Sequence, residues 1–251
     1  MISAVLIVKN GEPYLAQCLE SLASFKEVVL VDTGSTDRTL EIARGFANVH
    51  LFERPFDGFG PTKNLAAGLA THDWIFSIDC DEVVTAELNW EIGQQELDEK
   101  TVYRMPRQSY YNRKLIRGCG WYPDRVLRLY HRQQTQFNDN QVHESVDVSE
   151  GMRVVDLEGR LKHYPYDSVD ALIEKAQLYS RLYAEQNQGH VHSSPFKAVT
   201  HGLAAFLKGY VLRRGFQDGY EGFVISVAQG LASYLKYIKL YEANRQALLN
   251  D

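Results

Sequence analysis

The chain has 251 residues, 45% of them hydrophobic and 24% charged, with a formal net charge of −5. This excludes a disordered chain and a general nucleic-acid binder, and a chain of this size buries enough surface to fold without disulfides or a structural metal. Its three cysteines, Cys18, Cys80 and Cys119, are too scattered for a disulfide framework or a zinc cluster, which favours a reducing compartment, the cytoplasm.

The start MISAVLIVKNG has no basic segment ahead of its short apolar run, so it is not read as a signal peptide, and no stretch approaches the roughly 20 apolar residues that span a bilayer. Short runs rich in β-branched residues predict strands over Ser3–Val8, Glu27–Val31, Val49–Glu53 and Trp74–Ile78. Between them, Tyr14, Leu15, Cys18, Leu19 and Leu22 share one helical face, and Leu40, Ile42, Ala43 and Phe46 suggest a second helix. Such alternation implies a parallel, doubly wound sheet. From about Tyr103 to Lys162 the aromatic, arginine-rich pieces RVLRLY and RLKHY predict mixed short strands and loops. After Pro165 the chain turns helical, with Val224, Val227, Leu231, Tyr234, Ile238 and Tyr241 at steps of three and four. The expected division is an α/β domain over 1–162 and a helical C-terminal extension over 163–251. Charge follows the same line: residues 1–159 hold 16 basic and 24 acidic side chains (−8), residues 160–251 hold 11 and 8 (+3), and the basic tail suits an anionic surface.

Two segments carry chemistry. In DWIFSIDCDEVV an apolar strand ends in Asp79, Cys80, Asp81 and Glu82, and ligands of open parallel sheets bind at strand carboxyl ends. Carboxylates at i and i+2 that converge as the strand turns suit Mg²⁺ or Mn²⁺ with positions left open for phosphate oxygens, although an acidic loop capping a helix has the same spelling. In VVLVDTGSTDRTLEIA, Asp32 ends a strand, and Ser35, Thr36 and Asp37 are good helix caps. Asp32, beside the VKNGE loop, is placed to accept hydrogen bonds from a base or ribose. No G-x-G-x-x-G follows the first two strands and no G-x-x-x-x-G-K-[ST] occurs, which argues against dinucleotide and P-loop cofactors.

Asp32, Gly34, Ser35, Thr36, Asp37 and Thr39, followed by Asp79 and Asp81, resemble the D-x-S-x-D-x-T turn and D-x-D of inverting glycosyltransferases of family 2. KNLAAGLATHDWIFSIDCDE, WYPDRVLRLY, QVHESV and RRGFQDGYEG extend the resemblance to the lipopolysaccharide-core β-glucosyltransferase branch of that family, across nearly the whole chain. The resemblance implies a nucleotide-sugar-binding Rossmann-like mixed sheet of the glycosyltransferase A type. It further implies a nucleotide diphosphate sugar donor, UDP-glucose foremost, a Mg²⁺ or Mn²⁺ cofactor, and a lipid-linked saccharide acceptor met at the inner face of the cytoplasmic membrane. By the same resemblance Val8, Asn10, Glu12, Asp32, Lys63, Asp79 and Cys80 hold the nucleotide sugar, and Asp79, Asp81 and His143 hold the metal. Glu144 is then the general base, with Asp124 and Glu82 in reserve. Arg125 and Arg128 lie three apart in a strand, so only one faces the site, and Arg128 is preferred as the catalytic cation. Trp121 and Tyr122 would stack on a sugar or pack in the core. Two other functions fit the same acidic pairs: a sugar-phosphate nucleotidyltransferase, against which stands the lack of a glycine-rich basic loop after the first strand, and a non-catalytic sugar-nucleotide-binding module.

Overall fold

The computed structural model describes residues 1–139 and 144–250. They form two compact units: Met1–Gln108 with Asp124–Tyr164, and Ser109–Pro123 with the chain from Pro165 onward. The strands are β1 (Ile2–Val8), β2 (Val28–Asp32), β3 (Val49–Glu53), β4 (Trp74–Ser77), β5 (Glu82–Val84), β6 (Thr101–Tyr111), β7 (Lys114–Leu115), β8 (Arg125–His131), β9 (Arg153–Asp156) and β10 (Leu161–Tyr166). The helices are α1 (Leu15–Ser21), α2 (Thr39–Arg44), α3 (Phe59–Leu69), α4 (Ala86–Gln94), α5 (Val169–Asn187), α6 (Pro195–Leu207) and α7 (Gly219–Asn250).

In the first unit β3, β2, β1 and β4 pair in parallel in that order. The sheet then turns antiparallel, β8 against β4 and β6 against β8, while β10 pairs antiparallel with β5. This is the mixed sheet with a helical C-terminal extension that the sequence implies. Alternation along the strands sends Ala4, Leu6 and Val8 to one face, where Leu15, Cys18, Leu19 and Leu22 cover them. Val5, Val29, Val31 and Ile75 go to the other face, under Ala66 and Ala67 of α3. Burial on both faces explains why the central strands are apolar at most positions rather than at every second one. Leu15, Leu19 and Leu22 are each at most 1% exposed, and covering such a side chain contributes about 1.5–3 kcal/mol. The result fixes where the carboxyl ends of β1, β2 and β4 lie, and the polar residues gather there.

The second unit packs α5 and α6 along the 32-residue α7. Its core joins Tyr111, Ile116, Cys119, Leu172 and Ile225 with Trp121 and Tyr166, so Trp121 is a packing residue. Buried Asp218 accepts the Gly118 amide at 2.6 Å and the Arg117 amide at 3.2 Å, tying the 109–123 segment to the start of α7. Ser168 and Ser194 cap α5 and α6, and Pro195 takes the first position of α6, where its missing N–H costs nothing. The periodic positions of α7 are not all its packed face: Val227 is exposed, while Ile225, Ser226 and Leu240 are buried. The reason is close approach on small residues. A Cβ on Gly202 would stand 3.1 Å from the Tyr234 Cβ and 3.2 Å from the Gly230 carbonyl. Among the described residues no helix is long and apolar enough to cross a membrane.

Candidate active site

β1 and β2 end in register at Val8 and Asp32, so the loops that follow emerge side by side. Polar side chains lace them together. Asn10 donates its amide to Ser35 Oγ and accepts the Thr36 amide, both at 2.8 Å. The Glu12 amide donates to Asp37, and the Glu12 carboxylate accepts the Arg38 amide, both at 3.1 Å. Gly11 donates to Thr39 Oγ1 and tolerates no side chain, since a Cβ there would lie 2.6 Å from Val8 Cγ2. Asp32 is 2% exposed, and its Oδ2 accepts the Gly34 and Ser35 amides at 2.9 and 3.0 Å. Its Oδ1 is buried and has no hydrogen-bond partner among the described residues. Leaving such a group unmatched costs about 1–3 kcal/mol, so this otherwise satisfied loop keeps one acceptor for an incoming N–H or O–H.

A chain of charges continues from the end of β4. Asp79 to Glu82 form a tight turn in which Glu82 donates its amide to the Asp79 carbonyl at 3.0 Å, and Asp79 donates its own to the Glu82 carboxylate at 3.1 Å. Both carboxylates thereby reach Arg128, whose Nη2 lies 2.5 Å from Asp79 Oδ2 and 2.6 Å from Glu82 Oε1. Glu82, wholly buried, also takes Arg107 at 3.3 Å, and Arg107 binds Asp124 at 2.8 Å. On the other side Lys63, 3% exposed, sets its ammonium 2.8 Å from Asp79 Oδ1 and 2.9 Å from Glu144 Oε1, and 5.1 Å from the centre of the Phe137 ring. Burial would raise the Asp79 carboxyl, but Arg128 and Lys63 outweigh it and hold it well below the usual carboxylate range. Burial likewise opposes the Arg128 charge, and Asp79 and Glu82 reverse that effect. Burial, then Asp81 and Asp79, push the Cys80 thiol far up, so it stays protonated.

The structure brings Lys63, Asp79, Arg128 and Glu144 into one connected group, beside Cys80 and Asp81. Arg125 points away, to Asp156 and Glu158, as strand alternation requires. Asn10 and Glu12 lace loops. The Val8 side chain lies in the core, while its carbonyl accepts the Thr33 amide at 2.9 Å. Asp79, expected to bind metal, gives both oxygens to cations. Asp81 is freer, with its carboxylate 3.6 Å from His163 Nε2. His143 lies outside the described residues, among which no cluster of three or more His, Cys, Asp or Glu side chains could hold a metal. Two residues, Arg107 and Asn64, escape sequence reasoning. Arg107 completes the charge chain with Glu82, which the sequence offers only as a reserve base. Asn64, one residue past Lys63, accepts the Phe137 amide at 2.9 Å and donates to its carbonyl at 2.8 Å. The only sequence signal for the last is position: a paired polar residue next to a buried lysine on one helix.

A parallel sheet continued by antiparallel strands, with acidic groups gathered at its carboxyl edge, makes the first unit a glycosyltransferase-A-like Rossmann fold. The chain belongs to glycosyl transferase family 2, whose sequence profile matches residues 3–159. It is 30% identical to an uncharacterised glycosyltransferase of Rickettsia typhi over 96% of this chain and 87% of that one. It is 29% identical to the lipopolysaccharide core biosynthesis glycosyltransferase LpsC of Rhizobium meliloti, over 96% and 92% respectively. In fold it is similar to the mannosyltransferase PcManGT of Pyrobaculum calidifontis, solved in complex with GDP-Man and Mn²⁺, with a TM-score of 0.52 and 15% identity across 98% of this chain and 87% of that one.

Proposed function

We propose that the protein is an inverting, divalent-cation-dependent glycosyltransferase that moves glucose from UDP-glucose to a lipid-borne saccharide of the lipopolysaccharide inner core, on the cytoplasmic side of the membrane. The observation that carries the proposal is Lys63, which bridges the strand-end carboxylate Asp79 and the loop carboxylate Glu144. The likeness to LpsC supports the acceptor class, and the Mn²⁺ and GDP-Man held by PcManGT support a cation and a nucleotide sugar.

Asp32 Oδ1 accepts from the base or ribose, which sets the donor at the paired loops that follow β1 and β2. The acceptor hydroxyl then approaches the anomeric carbon from the face opposite the diphosphate. Glu144 takes the hydroxyl proton as the acceptor oxygen bonds to that carbon. The bond from carbon to the diphosphate oxygen breaks, and its electron pair leaves with the nucleotide. Lys63 orients the Glu144 carboxylate, while Arg128 and Glu82 fix Asp79 in place. With Asp79 committed to cations, Asp81 is the carboxylate that fits a divalent ion. Such an ion takes one or two protein carboxylates and fills its shell with substrate phosphate oxygens and water. When bound, it would stabilise the charge gathering on the leaving diphosphate.

The test is a thermal-shift panel with product analysis. UDP-glucose with Mg²⁺ or Mn²⁺ is expected to stabilise the protein, by about 2.7 kcal/mol at a hundredfold excess over its dissociation constant, and excess chelator to abolish transfer. Greater stabilisation by a nucleoside triphosphate would instead mark a nucleotidyltransferase. Donor binding without product or donor hydrolysis would mark a binding module.

A further inference from the structure

The second unit builds α6 inside out. Its packed residues are the small Ala198 and Gly202, while Phe196, Val199, Leu203 and Leu207, at steps of three, four and four, face outward. Phe196 is 79% exposed and Leu203 60%. The following turn adds Val211 and Leu212, the short turn before α7 adds Phe216, and the start of α7 adds Tyr220 and Phe223. Ring contacts join the two helices, with Phe206 6.2 Å and Tyr210 5.8 Å from Phe223, so the exposed residues form one surface. A helix that only packs within a water-soluble unit would turn such side chains inward.

The charge along α6 and the turn after it is of one sign, and Glu221 at the start of α7 is paired with Lys114 at 3.1 Å. From Gln186 to Gln217 the chain has no acidic residue, while Lys197, Lys208, Arg213 and Arg214 are basic. Arg213 and Arg214 join Arg117, Tyr122, Leu212 and Gln217 around a cavity of about 430 Å³. The Arg213 side chain lies against Gly120, where a Cβ would stand 2.3 Å from its Nη1, so the wall of the cavity is set by packing. The nearby carboxylate, Asp218, is occupied by the Arg117 and Gly118 amides. Among the described residues the side chains of Arg117, Arg213 and Arg214 have no hydrogen-bond or ion-pair partner.

We propose that the outward face of α6 and the first turns of α7 dock on an anionic bilayer, with Phe196, Val199, Leu203 and Leu207 entering the boundary between headgroups and acyl chains and the three-arginine cavity receiving a lipid phosphate. Apolar side chains above a basic rim are the makings of an interfacial helix, and the charge favours an anionic bilayer over a second copy of the same basic face. The inference deepens the reading of a lipid-borne acceptor, yet its test does not depend on catalysis.

Flotation with vesicles of phosphatidylethanolamine and phosphatidylglycerol is expected to carry the full chain, and phosphatidylcholine vesicles to leave it behind. Leu203→Gln with Leu207→Gln should weaken vesicle binding at least about tenfold. Arg213→Ser with Arg214→Ser should weaken it about 30-fold at low salt and flatten its salt dependence. Both pairs lie on the surface, and unchanged far-ultraviolet circular dichroism with unchanged stabilisation by UDP-glucose would show the fold and donor site intact. Wild-type protein that sediments as a dimer and ignores anionic vesicles would overturn the proposal, as would full vesicle binding by the arginine variant with inorganic phosphate stabilising only the wild type. Loss of donor binding with vesicle binding retained would sink the glycosyltransferase reading and leave this one standing.

Discussion

The two sides of the candidate site solve the burial of carboxylates in opposite ways. Around Asp32 the loops are held by hydrogen bonds from backbone amides, and one oxygen is left unpaired. Around Asp79 each oxygen meets a cation, and the cations meet further carboxylates. The first arrangement is complete except for one acceptor, as a binding pocket requires. The second pairs each Asp79 oxygen with a cation and leaves the buried Arg128 Nε without a hydrogen-bond partner among the described residues, so its geometry is set by ion pairs before any substrate arrives. On the proposed function, recognition and chemistry are divided between the ends of β2 and β4, which flank β1.

The largest test of this division falls on the transfer side. Glu144→Gln keeps the shape of the residue but not its proton acceptor, and kcat in transfer assays is expected to fall about 10²- to 10⁴-fold with donor affinity near wild type. Turnover within about threefold of wild type would remove Glu144 from the chemistry and bring Asp124 forward. Glu82→Ala should act on the fold instead. It leaves buried Arg128 with Asp79 as its one carboxylate partner among the described residues, a loss of about 3 kcal/mol that would lower Tm by roughly 10 °C in calorimetry.

Asp32→Asn sharpens the comparison from the other side. The new side chain still accepts from Gly34 and Ser35 through its carbonyl, but sets an amide donor where the free oxygen stood. Donor KM should rise about 10- to 100-fold with kcat nearly unchanged, and a collapse of kcat at constant KM would place Asp32 in the chemical step. The smallest effect is one of pH. Because the Asp79 carboxyl is depressed in the folded state, its contribution is fully present above its unfolded pKa, near 4, and fades as pH falls through the depressed folded value. The Tm gap between wild type and Asp79→Asn should therefore be constant from about pH 5 to 7 and narrow only below about pH 4. A gap that widens in acid would contradict the pairing.

Much of the first unit is legible from local pattern. Runs such as VVLVD and WIFS are buried on both faces, and strand alternation puts Arg125 and Arg128 on opposite sides, with the contacts of the fold deciding that Arg128 is the inward one. What stays hidden depends on partners far along the chain. Glu82 looks like one more acid in DCDE, yet it is the wholly buried hub of two arginines, one of them 46 residues away. The periodicity of α7 also points at side chains such as Val227 that face outward. Glycine and alanine at the helix crossings carry no hydrophobic signal, although they decide which face packs.

The two bonds between Asn64 and the Phe137 backbone, together with Gly60, have a consequence for redesign. A Cβ on Gly60 would fall 1.9 Å from the Asn138 carbonyl, so α3 and the backbone at Phe137 and Asn138 fit each other as a matched pair. Swapping that segment alone, to import another enzyme's acceptor preference, would leave Asn64 facing a foreign backbone and set the Glu144 carboxylate adrift from Lys63. The transplantable cassette is the helix and the loop together, and chimeras cut between them should express as folded but idle proteins.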